Sequence, residues 1–294
     1  MVFYHNIADN YLNLDNAISN HSGDEIVTYK SFDGKKLNLA FYYPENYDKN
    51  NKYPVFVFVH GGGWAGRAVF ADQNDWAGDH LGFLARYYAN KGYVSVSIDY
   101  RLMQNEGQKA GYELIDLYDD CCDAVKFLIQ NADNYGLDFE NSVLLGESAG
   151  GYLAGALATM FCKEKPVFKK AILVNAILNM LDSHWRQRIA KNSEHPALKG
   201  KSAEYAAEFM SPVLNITENT PEILLVHGTS DSVVRPYHSY YFHDEMYLHK
   251  KTAEQHMING AEHAFLLAEY LLGKNEPIAV TKTAIEIIDK WLNV

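Results

Sequence analysis

The chain has 294 residues, 48% hydrophobic and 21% charged, and its 37 acidic against 26 basic side chains leave a net charge of −11. That length and apolar share suffice for one large core without disulfides or a structural metal. No Lys/Arg-rich stripe is present to neutralise a phosphate backbone and no run of about 18 apolar residues could span a bilayer, so neither nucleic acid nor a membrane is an expected partner.

The opening residues, Met1-Val2-Phe3-Tyr4-His5-Asn6, have neither the basic region nor the apolar stretch of a secretory leader. The three cysteines include the adjacent pair Cys121 and Cys122, which is poorly placed to bridge, and no C-x-x-C occurs. Reduced thiols and a cytoplasmic location are therefore expected.

Phe3, Ile7, Tyr11, Leu14 and Ile18 recur at spacings of three and four, which predicts an amphipathic helix over about 1–22. Two extended segments, Glu25 to Ser31 and Lys36 to Tyr43, flank Asp33-Gly34, a strong hairpin-turn signal. Val55 to Val59 is a continuous β-branched and aromatic run, as expected of a strand buried on both faces. A helix is predicted from His80 to Lys91, with Gly92 closing it. A strand at Val94 to Ile98 precedes a helix whose apolar face is Leu117, Cys121, Ala124, Val125 and Leu128. Val143 to Leu145 predicts a strand, and Ala149 to Phe161 a helix rich in small residues. Further strands are predicted at Ala171 to Val174, Ile223 to Val226 and Gln255 to Ile258. A closing helix carries the stripe Val280, Ala284, Ile287, Ile288 and Trp291. Strands alternating with helices argue for an α/β fold, a mostly parallel sheet wrapped on both faces. The stretch 175–219 is polar, contains Trp185, shows no clear strand and reads as a helical, cap-like insertion above the sheet. With no internal repeat and no low-complexity linker, residues 1–294 read as a single domain.

Gly146-Glu147-Ser148-Ala149-Gly150 fits G-x-S-x-G directly after a predicted strand and before a helix. In such an elbow the serine sits on a tight, strained turn, and glycines two residues to either side avoid clashes with neighbouring backbone. The helix that follows aims free N–H groups and its positive dipole end at the site. His60-Gly61-Gly62-Gly63-Trp64 follows the buried strand at 55–59. Its glycines allow backbone N–H groups to approach a developing oxyanion, with Ala149 N–H as a second source of donors. His60 itself reads as structural.

Twelve histidines leave the base to be chosen by position. Asp231 lies in a loop after the strand at 223–226, and His263 in a loop after the strand at 255–258. Both loops fall at the sheet edge where active sites of open α/β sheets form. The order Ser148, Asp231, His263 is the Ser…Asp…His order of a nucleophile-elbow hydrolase. Glu262 and Asp244 compete weakly for the acid role. His227 is the main rival base, disfavoured because it neighbours the acid's loop and could not easily be oriented by it. His243, His249 and His256 carry no companion ligand pattern, so no metal is expected.

These motifs resemble the α/β-hydrolase superfamily, and more narrowly the esterases related to hormone-sensitive lipase and to bacterial acetyl and feruloyl esterases. The resemblance runs from about Glu25 to the C-terminus. It rests on HGGGW at 60–64, Asp99-Tyr100-Arg101-Leu102, GESAGG at 146–151, Gly-Thr-Ser-Asp ending at Asp231 and Gly-Ala-Glu-His ending at His263. It implies an eight-stranded sheet, cofactor-independent hydrolysis of carboxylic esters, an oxyanion hole at Gly62, Gly63 and Ala149, and Arg101 in a buried ion pair. A small-molecule ester of a short acyl group is the expected substrate, with an acylated carbohydrate one candidate and Trp64 a candidate substrate contact. The same triad would serve an amidase or peptidase of formamidase-like type, and a non-catalytic ligand-binding homologue is the remaining alternative. A monomer or homodimer is expected.

Overall fold

Alternation of inward and outward side chains along each strand builds two cores, one on each face of a single large sheet. The computed structural model describes residues 23–32, 35–65, 81–105, 108–109, 111–189, 193–266 and 275–294. The expected helix over about 1–22 and the Asp33-Gly34 turn lie outside these residues. The elements in chain order are β1 (Glu25–Phe32), β2 (Lys35–Tyr42), β3 (Tyr53–Val59), α1 (Gly82–Ala89), β4 (Val94–Ile98), α2 (Leu114–Gln130), β5 (Leu137–Glu147) and α3 (Ala149–Thr159). They continue with β6 (Lys170–Val174), α4 (Ser183–Arg186), α5 (Ala203–Phe209), β7 (Glu222–Gly228), α6 (Tyr237–Leu248), β8 (Ala253–Ile258) and α7 (Asn275–Leu292).

The eight strands lie in the order β1-β2-β4-β3-β5-β6-β7-β8. β2 pairs antiparallel with both β1 and β4, and every other neighbouring pair is parallel. The inner parallel strands β3, β6 and β7, buried on both faces over most of their length, are continuous apolar runs of the sequence. Val55, Val57 and Val59 join the core under α2, α3 and α6, while Phe56 and Phe58 join the opposite core under α1 and α7. This is the period-two alternation of a strand expressed at a doubly covered sheet.

The helices predicted at 80–91, 117–128, 149–161 and 280–291 coincide with α1, α2, α3 and α7, whereas the insertion expected to be helical at 175–219 holds only the short α-helices α4 and α5 among its described residues. Leu117, Cys121, Ala124, Val125 and Leu128 of α2 are all buried. In α7 the buried side chains are Ala284, Ile285, Ile288 and Leu292, whereas Val280, Ile287 and Trp291 are half-buried at its flank. The stretch 175–219 is less polar in its role than in its composition. Ile177, Leu178, Met180, Trp185, Leu198 and Val213 are buried in the α2/α3 core. Most lie on loops and single turns, so no helical period marks them in the sequence.

Arg101 forms the expected ion pair. Its Nε donates to Asp120 Oδ2 at 2.6 Å, and Lys30 Nζ reaches Asp120 Oδ1 at 2.7 Å. Asp120 is fully buried, so this pair of cations is what makes its charge tolerable there.

Candidate active site

The sheet grows from β3 to β4 in one direction, and the chain then returns to place β5 on the other side of β3. A crevice opens at such a reversal, beyond the carboxyl ends of the two strands. Val59 and Gly146 are register partners at that point. The two loops that leave it are His60 to Trp64 and the turn at Ser148, so topology alone brings the glycine loop to the serine.

Ser148 has φ 57° and ψ −120°, a conformation that side-chain-bearing residues rarely adopt. The glycines around it are sterically required. A Cβ on Gly146 would lie 2.2 Å from the Gly150 carbonyl oxygen, and one on Gly150 would lie 2.1 Å from that of Val59. Ser148 N–H donates to Val174 O at 2.9 Å, which pins the turn to β6. Ala149 opens α3, so its N–H belongs to the first turn, whose amides have no intrahelical acceptor.

Ser148 Oγ lies 2.8 Å from His263 Nε2, and His263 Nδ1 lies 2.7 Å from Asp231 Oδ2. A carboxylate only accepts, so His263 carries its proton on Nδ1 and presents the Nε2 lone pair to the serine hydroxyl. Asp231 Oδ1 accepts from Val233 N–H at 3.0 Å and Val234 N–H at 2.8 Å. Burial by itself pushes the Asp231 carboxyl up. The hydrogen bonds from His227 and His263, the charge of His263 and the Val234 N–H outweigh that and hold it well below the usual carboxylate range.

His227 also touches the acid. Its Nε2 lies 2.9 Å from Val234 O and 3.3 Å from Asp231 Oδ2, and its Nδ1 lies 2.8 Å from Ser239 Oγ. Val234 O can only accept, so Nε2 bears the proton and Nδ1 receives the Ser239 hydroxyl. The acid's loop thus does orient His227, contrary to the sequence expectation, but both ring nitrogens are committed and the ring is fully buried. Glu262 is exposed and Asp244 is 78% exposed. His243, His249 and His256 each sit beside a different carboxylate, Asp244, Glu245 and Glu254.

A cavity of about 280 Å³ opens over this constellation, lined by Gly61 to Gly63, Ser148, Ala149 and His263 on the reacting side. Gly62 and Gly63 have φ 104° and 66°, and Trp64 follows at 60°. The Trp64 strain is held by Nε1 donating to Ala149 O at 3.0 Å and by Met103 N–H donating to Trp64 O at 2.8 Å. The Trp64 side chain is wholly buried, edge-on to Trp185 at 5.7 Å, and so forms a wall that ties the glycine loop to the elbow. His60 is structural, as expected. Its ring stacks on Tyr100 at 4.2 Å, whose hydroxyl donates to His60 O at 2.6 Å.

Two groups escaped the sequence reading. Glu147 is fully buried, and its Oε1 accepts from Leu266 N–H at 2.9 Å, three residues beyond the base. Its Oε2 has no partner among the described residues. Burial pushes the carboxyl up to about 8, with the Leu266 N–H opposing and the Asp231 charge adding to the rise. A carboxylate-bearing residue closing an apolar strand was the signal available for it. The second group is Ile177, His184, Arg188 and Val233, which line the cavity together with Trp185 and come from loops or single turns.

The sequence model of the BD-FAE family matches residues 39–246, well over half of the chain. An alpha/beta hydrolase of Acanthamoeba polyphaga mimivirus is 26% identical over 202 residues, 68% of this chain and 52% of that protein. Arylacetamide deacetylase of Oryctolagus cuniculus is 29% identical over 168 residues, 55% of this chain and 38% of that protein. The chain thus spans about half or less of the length of these relatives. The structure of the esterase Est2 from Thermogutta terrifontis, described as propionate-bound, superposes with a TM-score of 0.72 at 24% identity, covering 93% of this chain and 94% of that one. The fold is the α/β-hydrolase fold.

Proposed function

The chain belongs to the BD-FAE family, and from that premise we propose that it is a serine hydrolase that cleaves carboxylic esters of short acyl groups. The observation that carries the reading is the continuous relay from Asp231 Oδ2 through His263 to Ser148 Oγ, with links of 2.7 and 2.8 Å, facing a cavity rimmed by Gly62, Gly63 and Ala149.

In the first half-reaction Ser148 Oγ attacks the ester carbonyl as His263 Nε2 takes its proton. The carbonyl oxygen becomes an oxyanion, met by the N–H groups of Gly62, Gly63 and Ala149. Asp231 holds the Nδ1–H tautomer and stabilises the imidazolium. Its low proton affinity keeps it ionised, so the proton stays on histidine until it passes to the departing alcohol. Water, activated by the same histidine, then hydrolyses the acyl-serine. Trp64 acts as cavity wall and anchor for the glycine loop, with only its cavity-facing surface near an acyl chain.

The short-acyl reading is supported by the cavity of about 280 Å³ and its indole walls, and the similar Est2 esterase is described with propionate bound. The chain reads as one catalytic domain, with 175–219 supplying a wall of the site. Cys121, Cys122 and Cys162, buried and free, support a reducing, cytoplasmic setting.

Hydrolysis of 4-nitrophenyl esters from acetyl to decanoyl, by wild type and Ser148→Ala, tests the reading. Activity highest at acetyl and abolished in the variant is expected. Wild-type protein inert at every chain length would overturn it.

A further inference from the structure

The cavity wall contains a cation with no counter-charge among the described residues. Arg188 lines the cavity, together with His184 four residues before it. At that spacing the two lie on one face of a helical turn. The turn is well fixed. Asp182 Oδ1 caps it by accepting from His184 N–H at 2.7 Å, Arg186 N–H donates to Asp182 O at 2.8 Å, and Arg188 N–H donates to Trp185 O at 2.9 Å. Trp185, in the middle, is buried edge-on against Trp64 and carries the His184 ring against its own edge at 4.7 Å. The segment is therefore anchored to the loop that supplies the oxyanion donors, which fixes its distance from Ser148.

Arg188 differs from the paired arginines of this molecule. Arg86 is joined to Asp24 and Arg101 to Asp120, each at 2.6–2.7 Å. The Arg188 guanidinium has no ion pair or side-chain hydrogen bond among the described residues. None of the described residues lining the cavity is acidic. A guanidinium stays charged at any physiological pH, and its planar fork matches the two oxygens of a carboxylate. In a chain of net charge −11, admitting an anion requires a local cation, and Arg188 provides one within the reaction cavity.

We propose that Arg188, with His184 beside it, binds a carboxylate carried by the ester substrate, so that the enzyme selects small anionic esters over their neutral counterparts. The proposal rests on the ester-hydrolase reading and names its substrate class. The remaining wall residues, Trp64, Ile177 and Val233, enclose the uncharged part of such a molecule, and the cavity's size restricts it to a compact one. The carboxylate can sit on the acyl side, as in a half-ester of a dicarboxylic acid, or on the alcohol side, as in an acyloxy acid.

Two matched pairs separate these sources: monomethyl succinate against methyl butyrate, and 4-acetoxybenzoate against 4-acetoxybenzamide. The expected result is a wild-type kcat/KM at least tenfold higher for the anionic member of one pair, and the preferred pair tells which side carries the charge. In Arg188→Gln the loss on that anionic ester should exceed the loss on its neutral partner by about 10- to 100-fold, mostly through KM, since a charged hydrogen bond is removed. Arg188→Lys should recover part of the difference. No anionic preference in wild type, or equal losses on both members in Arg188→Gln, would overturn the subsite. Calorimetric binding of monomethyl succinate and 4-acetoxybenzoate to Ser148→Ala, and to Ser148→Ala with Arg188→Gln, reads the subsite without turnover. Binding lost on removing Arg188 supports it, and no binding of either ester to Ser148→Ala overturns it. Wild-type protein that hydrolyses none of the four esters and is not labelled at Ser148 by a fluorophosphonate refutes the hydrolase reading, and with it the role in substrate selection.

Discussion

Replacing Glu147 by glutamine removes an ionisable group from beneath the nucleophile while nearly preserving its shape. The carboxyl is fully buried and shifts from an ordinary 4.5 to about 8, with burial as the leading cause. Between those values the folded protein keeps a proton that the unfolded chain has released. The Glu147 contribution to stability therefore falls as pH rises from 4.5 to about 8, by ~1.4 kcal/mol per pH unit, and its slope disappears outside that window. Across the whole window the loss is about 5 kcal/mol, a large share of the ~5–15 kcal/mol that holds a typical domain together. The Glu147→Gln protein carries no such slope, yet the amide oxygen of its new side chain can still accept the Leu266 N–H. Urea unfolding at pH steps from 4.5 to 9 reads the difference directly. Buried His238, pushed down to about 4 chiefly by burial, makes both proteins lose stability as pH falls from 6.5 toward 4 and drops out of the difference. The variant should gain on wild type progressively toward pH 8. Two pH profiles that run parallel throughout would refute the assignment of a neutral carboxyl at 147.

Asp231→Asn should lower kcat by about 10⁴-fold with the protein still folded, because the Val233 and Val234 N–H groups claim the amide oxygen and the NH₂ then faces His263 Nδ1. That reverses the tautomer, and steady-state rates retaining a tenth of wild type would remove Asp231 from the relay. Gly150→Ala places a Cβ within 2.1 Å of Val59 O and 2.3 Å of His60 O, so thermal unfolding should show a loss at or beyond the ~1–3 kcal/mol usual for overpacked sites. An unchanged melting temperature would contradict so tight an elbow. Asp120→Ala leaves Arg101 and Lys30 without their shared buried partner and should cost about 3–5 kcal/mol in denaturant unfolding. Asp133→Ala, which removes only an exposed contact to Lys52, serves as the control and should be silent by the same measurement.

Strands β3 and β7 were legible because a strand buried on both faces favours apolar residues at every position, and Val55–Val59 and Ile223–Val226 show it openly. The elbow was legible because its geometry admits no Cβ at 146 or 150, which forces a spaced glycine pattern into the sequence. Arg188 and Ile177 were not, because no period or spacing governs residues on single turns. Glu147 was visible only as a letter, since its chemistry comes from the surrounding burial. His227 was misjudged for a related reason: adjacency along the chain says nothing about which way a strand-end ring points, and here it points back onto the carboxylate of its own loop.

The positions of the acid and base follow from strand adjacency carried beyond the strand ends. Ser148 N–H donates to Val174 O, Asn175 N–H to Val226 O, and Gly228 N–H to Asn175 Oδ1 at 3.2 Å. This ladder links the elbow to the acid's loop across β6, and it needs Asn175 at φ 45°, a conformation asparagine tolerates better than most. On the far side, a Cβ at Gly228 would lie 2.3 Å from Ala261 O, so the loops after β7 and β8 are in direct contact. Asp231 and His263, 32 residues apart, are thereby neighbours before any side-chain interaction is formed. The relay thus inherits its geometry from main-chain hydrogen bonds and glycine contacts, while the hydrogen bonds from His227 and His263 and the charge of His263 outweigh burial and hold Asp231 in the ionised state in which the relay operates.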